Sequence, residues 1–289
     1  RARRIKVALS SWFREDADNV RMALSTPQAM AKCWIDTLRL IANAGLMDTI
    51  LYVDLCNEFP GDFWAPYFRN DPPWMTWSCW HTDAAMDYMR TAIALVRQEY
   101  PDLPYCFSFD GENTHFYRER DLSFFDLAEH HIWMTKLNKQ QFYHEVGQAK
   151  DGRFTEEAYH LLADHALDVY HNKEDYWKQL LVDGIQTLAA DAKAAGLPLA
   201  TTECWGITDY KDFPMLPWDW VKDLCARGVE TACQTGQWAL MATSNFAAPQ
   251  FCGMWRDVAW HQRLTTMIHE APLPPEAEKT ALGRTMRWK

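Results

Sequence analysis

Two glutamates each close an apolar run of the chain. One run reads Tyr52-Val-Asp-Leu-Cys-Asn57-Glu58-Phe59-Pro60, the other Leu199-Ala-Thr-Thr202-Glu203-Cys204-Trp205-Gly206. If these runs are buried strands, both carboxylates emerge at the end of a sheet, a poor place for a merely solvated charge. Two carboxylates facing one another are what glycoside hydrolysis requires: a protonated acid beside the leaving oxygen and an ionised group on the other face of the sugar ring. Such a pair needs unlike surroundings, the acid in a less polar setting and its partner supplied with hydrogen-bond donors. The plain alternative for either residue is a salt bridge or the capping of a following helix.

Other residues could complete or rival this pair. Asn57 is either a turn residue or a hydrogen-bond partner for a sugar hydroxyl beside Glu58. Glu129, His131 and Trp133 share one parity in a third apolar run and would face the same way, with His130 turned to the opposite side. Asp54 has the parity of Cys56 and Glu58 and could point inward behind them. Asp110-Gly111-Glu112 is the rival carboxylate pair, with Glu112 as reserve acid, although Asp-Gly is equally the chemistry of a tight turn. Trp12, Trp205 and Trp238 near strand ends, and Trp64 and Trp77 in a long loop, are rings that could stack on sugar faces or simply pack the interior. Asn245 follows the last strand as a candidate hydroxyl ligand. No metal site or cofactor is expected. The ten histidines include no H-x-H or H-E-x-x-H, and His160, His165 and His171 stand at spacings that share no helix face. Gly-rich phosphate loops and a Gly-x-Ser-x-Gly elbow are absent from the sequence.

The elements that would position these residues alternate along the whole chain. Short apolar runs at 5–10, 49–55, 103–109, 127–133, 197–203 and 238–243 are separated by helical patterns, the signature of βαβ units and a mainly parallel sheet. Thr26-Pro27 reads as an N-cap and first helical residue ahead of Trp34, Leu38 and Ile41, with Gly45 closing the helix. A second helix starts at Thr82-Asp83 and buries Met86, Met89, Ile93 and Val96. A third carries Trp177, Leu180, Leu181, Ile185 and Leu188. Two more are expected from Trp218 to about Thr235, capped by Gly236, and from about Trp255 to His269. Two connections are long, an aromatic and proline-rich loop at 59–80 and an insertion at 135–172 with a helix inside it. Both leave from strand C-terminal ends, and loops of that length tend to be functional. The Pro-rich stretch after Ala271 is a surface segment or a brace.

Composition narrows the partners. With 289 residues, 48% of them hydrophobic, the chain can bury one large core, and 15 Trp, 14 Phe and 11 Tyr exceed what a core of this size needs. A net charge of −10 disfavours nucleic acid and suits an uncharged or cationic ligand. No run is long enough for a membrane span. Eight cysteines without C-x-x-C spacing read as free thiols, which together with the lack of a visible signal peptide favours the cytoplasm over secretion. Oligomeric state is not legible.

Asn57-Glu58 at one strand end, Thr202-Glu203 three strands later with Gly206 beyond, and His131-Ile-Trp133 between them resemble clan A of the glycoside hydrolases, the cellulase-like TIM barrels. The resemblance implies a (β/α)8 barrel in which Glu58 is the acid/base at the end of strand four and Glu203 the nucleophile at the end of strand seven. The six visible strands are then three to eight. The expected organisation is a single catalytic domain over 1–289 that lacks its first two βα units. The segments from Leu9 to Asp16, Thr243 to Phe251 and Met254 to His261 are similar to a cellulase-like group within the clan. The implied activity is retaining hydrolysis of a β-linked glycoside. Alternatives are a non-catalytic carbohydrate-binding barrel, suggested by Ser10-Ser11-Trp12 where the clan carries a His, and a metal-dependent barrel hydrolase using His131.

Overall fold

The computed structural model describes residues 3–68, 79–148, 155–208, 217–244 and 256–287. Its fold class is α/β, with parallel strands and many helices. Strands β1 (Val7–Ser10), β2 (Ile50–Asp54) and β3 (Tyr105–Cys106) form one sheet in that order. A second sheet runs β4 (Ser108–Asp110), β5 (Ala128–Trp133), β6 (Leu199–Thr201) and β8 (Trp238–Met241), with β7 (Cys204–Trp205) paired to β5. All six apolar runs are strands. The third is interrupted at Phe107, and in the fifth the strand ends at Thr201, with β7 opening just beyond the run.

The interruption has its cause in another strand, β2. The Ser108 backbone N–H donates to the Asp54 carboxylate at 2.9 Å, so a side chain takes the bond a ladder carbonyl would otherwise accept. In register, Ser10, Asp54 and Cys106 lie side by side across β1, β2 and β3. Every residue of β2 is buried, as expected of a strand covered on both faces.

The chain divides into two compact units, Arg1–His130 with Asp191–Leu199 and Pro274–Lys289, and His131–Ala190 with Ala200–Leu273. In the first, α1 (Pro27–Asn43) starts where the Thr26 hydroxyl accepts the Ala29 N–H at 3.2 Å and Pro27 supplies a preset φ. It ends before Gly45, whose φ of +66° suits a residue without Cβ. Helix α2 (Asp83–Glu99) is capped by Thr82 in the same way and buries Met86, Met89, Ile93 and Val96. The short α3 (Phe116–Glu119) follows β4. The stretch after Ala271 is a brace: α9 (Pro275–Lys279) and α10 (Ala281–Thr285) return to the first unit, Leu282 is fully buried, and the Thr285 hydroxyl donates to the Leu51 carbonyl at 2.7 Å.

The second unit holds α4 (Leu137–Val146), α5 (Glu156–Asn172), α7 (Asp219–Thr235) and α8 (Val258–Glu270), and most of α6 (Glu174–Ala194). Its core is aromatic: Phe142 stacks on Trp220 at 5.3 Å and meets Trp177 edge-on at 5.2 Å. Helix α4 starts irregularly, with Asn138, Lys139 and Gln140 at positive φ. Gly236 closes α7 in the left-handed region, as its sequence position predicts. The expected terminal helix begins three residues later than Trp255, at Val258.

Candidate active site

In the first unit the chain leaves β2 at Asp54 and runs through Leu55, Cys56, Asn57 and Glu58, all of them buried. Glu58 is only 5% exposed and has φ +43°. The left-handed region costs an L-residue roughly 1–2 kcal/mol, so a non-glycine there must be held by its surroundings. Three bonds hold it. The Glu58 N–H donates to the Ser108 hydroxyl at 2.9 Å, the Phe59 N–H to the Ser108 carbonyl at 2.9 Å, and the Gly61 N–H to the Glu58 carbonyl at 2.7 Å. The Trp64 indole N–H reaches the Glu58 carboxylate at 3.4 Å. Trp64 in turn lies 5.1 Å from the ring of Trp12, which is 41% exposed, and beneath the Arg14 guanidinium. Arg21 anchors this loop by donating to the Phe63 carbonyl.

Asn57 donates its backbone N–H to the Ser11 carbonyl, whereas its buried side-chain NH2 has no acceptor among the described residues. A buried donor without a partner costs free energy until something accepts from it, and a ligand hydroxyl would. Behind Glu58, Asp54 accepts from the Ser10 hydroxyl at 2.6 Å, the Ser108 hydroxyl at 2.9 Å and the backbone N–H groups of Ser108 and Cys56. Burial pushes the Asp54 carboxyl up to about 6; the Ser10 and Ser108 bonds oppose that shift and the Glu129 charge adds to it. Glu129 is buried and accepts from the Tyr52 hydroxyl at 3.1 Å, and burial together with the Glu129 charge holds that phenol well above its usual range. Asp54 is buried, as is every residue of its strand.

In the second unit Glu203 sits just ahead of β7, and its carbonyl accepts the Ile132 N–H of β5 at 3.3 Å. The parallel register Ile132↔Cys204 and Trp133↔Trp205 sets β5 beside this strand end. His131 Nδ1 comes within 3.8 Å of the Glu203 carboxylate, with both side chains nearly inaccessible. That separation is an ion-pair contact when the imidazole is protonated and too long for a direct hydrogen bond. His130, in the first unit, bonds the Tyr117 hydroxyl at 3.1 Å and the Gly111 carbonyl at 2.9 Å, on the side opposite to its neighbour. The Phe59-Pro60 and Cys204-Trp205 peptides, which follow the two glutamates, are cis.

Several site expectations are corrected. Trp205 is a core residue: it has no exposed surface, its N–H is committed to the Ala242 carbonyl, and its ring lies against α7, where a Cβ on Gly228 would come within 2.6 Å of it. Trp238 opens β8 and is buried, with its N–H on the Thr201 hydroxyl at 2.8 Å. Trp133 is buried with Lys136 near its ring. A sugar can stack only on a ring face it can reach, so among these candidates Trp12 keeps the geometry for it. Glu112 is exposed beyond Gly111 at φ +112°, the tight-turn reading and not that of a reserve acid. Trp77 and Asn245 lie outside the described residues. Sequence reasoning missed Ser108, whose signal was a lone hydroxyl within the apolar run Tyr105 to Phe109, in line with Asp54.

A family model described as sugar-binding cellulase-like matches residues 1–269. A crystal structure from Parabacteroides distasonis, of a protein proposed to be a glycoside hydrolase, superposes with a TM-score of 0.92. It is 49% identical, over 98% of this chain and 76% of that one. Curated proteins give no match. With buried carboxylates at the ends of β2 and β6 and a family match that covers nearly all of its length, the chain belongs to the sugar-binding cellulase-like family.

Proposed function

We propose that the protein is a retaining glycoside hydrolase acting on a β-linked substrate, built on a (β/α)8 frame, with Glu58 as acid/base and Glu203 as nucleophile. The observation that carries this reading is the placement of both glutamates, 5% and 7% exposed, at the C-terminal ends of parallel strands in a chain of a sugar-binding family. The description of the Parabacteroides relative supports it at the level of the reaction class.

The surroundings suit unlike roles. Glu203 lies beside an imidazole, which as a cation stabilises an ionised carboxylate ready to attack the anomeric carbon. Glu58 is buried, with the Trp64 indole N–H reaching its carboxylate, and the role of acid requires it to carry a proton when the substrate binds. In the first step Glu58 gives its proton to the leaving oxygen as Glu203 bonds to the sugar. In the second, Glu58 takes a proton from water, which displaces Glu203. The Asn57 amide offers its donors to a sugar hydroxyl, and Trp12 offers a reachable ring face. The aromatic and proline-rich composition of the 59–80 loop favours a short oligosaccharide or exo-type substrate.

The reading is tested by following aryl β-glycoside hydrolysis by NMR with wild type and Glu203→Ala. A Glu203-dependent reaction whose first-formed sugar keeps the β configuration is expected. A first-formed α anomer would overturn retention, and would call for carboxyls about 6.5–9.5 Å apart instead of about 5–5.5 Å.

A further inference from the structure

Glu58 occupies a backbone conformation it would not choose alone, and what holds it leads back to one residue. A serine hydroxyl has one proton to give and lone pairs to accept with. The Ser108 proton goes to Asp54 Oδ2, which leaves a lone pair for the Glu58 N–H. Asp54 fixes the Ser108 backbone as well, through its N–H, and is itself seated by Ser10 on β1. We propose that Asp54 is a positioning residue for Glu58, acting through Ser108 to hold the left-handed backbone that presents the acid to the leaving-group oxygen. The proposal rests on the glycosidase reading and deepens it.

A purely structural role accounts poorly for this arrangement. Among the described residues, the titratable groups whose charges act on or respond to Asp54 are Tyr52 and Cys56 from its own segment, Cys106 from β3 and Glu129 from β5, and none of these is a cation. A buried carboxylate beside a second one destabilises the fold relative to a neutral residue of the same shape. Asparagine would satisfy the same space, with its oxygen on the backbone N–H groups and its amide on the two serine hydroxyls. It would then donate to Ser108 and deprive that hydroxyl's proton of its acceptor. Asparagine therefore preserves packing and breaks the relay.

The test uses Asp54→Asn, Ser108→Ala and the double variant in the full chain, with kcat/KM measured on methyl, 4-nitrophenyl and 2,4-dinitrophenyl β-glycosides of a sugar that wild type turns over. Acid assistance matters in proportion to the basicity of the leaving group, so a misplaced acid is felt on the poor leaving groups. Each single variant is expected to lose at least about tenfold on the methyl glycoside and to stay within about threefold on the dinitrophenyl one. The double variant falls no further than Ser108→Ala, because both act by one route. Thermal midpoints near pH 7.5 report folding, and Asp54→Asn should not fall below wild type. Equal losses on all leaving groups, or no loss on any, with Glu203-dependent turnover intact in wild type, would overturn the positioning role alone. A wild type without Glu203-dependent turnover overturns the glycosidase reading and the positioning role with it.

Discussion

Carboxylates at 58 and 203 meet different neighbours, and the differences set what each substitution should do. On the proposed glycosidase reading, replacing Glu203 by alanine removes the group beside His131 and should lower kcat by roughly 10⁴ or more, the scale on which enzymes lose a covalent nucleophile. Azide added to that variant should restore turnover and yield an α-glycosyl azide, detectable by mass spectrometry and NMR. Asp54 makes a prediction about stability. Its carboxyl is raised from 3.8 to about 6, so the folded protein holds its proton more tightly than the unfolded chain does. Between about pH 4 and 6 the native state therefore binds more protons, and this group's contribution falls as pH rises through that window and is flat above it. The size is on the order of 3 kcal/mol, from about 1.4 kcal/mol per pKa unit. Urea unfolding across that range should show the fall in wild type and a flatter profile in Asp54→Asn.

Between elements, α7 comes close to β7 at Gly228. A methyl group at Gly228 would sit 2.6 Å from the Trp205 ring, a core side chain with no room to retreat. Gly228→Ala should therefore cost about 1–3 kcal/mol, read as a lower denaturation midpoint, even though alanine is the better helix former. The strands and helices were legible because their signals are local: alternation of apolar runs, Thr26-Pro27 at a start, Gly45 and Gly236 at ends. The burial of Glu58 and Glu203 was legible for the same reason, since each follows directly on an apolar run. The break at Phe107 was not, because it depends on Asp54, a side chain more than fifty residues away, capturing the Ser108 N–H. That Trp205 and Trp238 lack a reachable ring face was hidden for a related reason. A tryptophan near a strand end looks the same in sequence whether its ring is covered by a glycine-bearing helix, as at Trp205, or left open, as at Trp12.

At the scale of the molecule, the brace at 275–285 ties distant parts of the chain together. Leu282 is fully buried, and its truncation to alanine should cost about 2–5 kcal/mol and lower the melting temperature by several degrees. Gly283→Ala should act in the same direction, because a Cβ there would meet the Ala277 carbonyl at 2.7 Å. If the glycosidase reading holds, a bound sugar raises the melting temperature in proportion to the logarithm of its concentration above Kd, and Glu203→Ala keeps that response while losing turnover. Fold class was recoverable from periodicity alone, whereas the brace was left between two readings because its helices are too short to show a face.

The bond from Thr285 to the Leu51 carbonyl spans 234 residues. On a ribosome adding about 5–20 residues each second, β2 is complete and waiting for ten seconds or more before the segment that bonds it, at Leu51, has emerged. A chain of this kind finishes its first-written half last. Nascent chains arrested before residue 275 should accordingly be cut by protease within the first unit, and chains released after residue 287 should resist it.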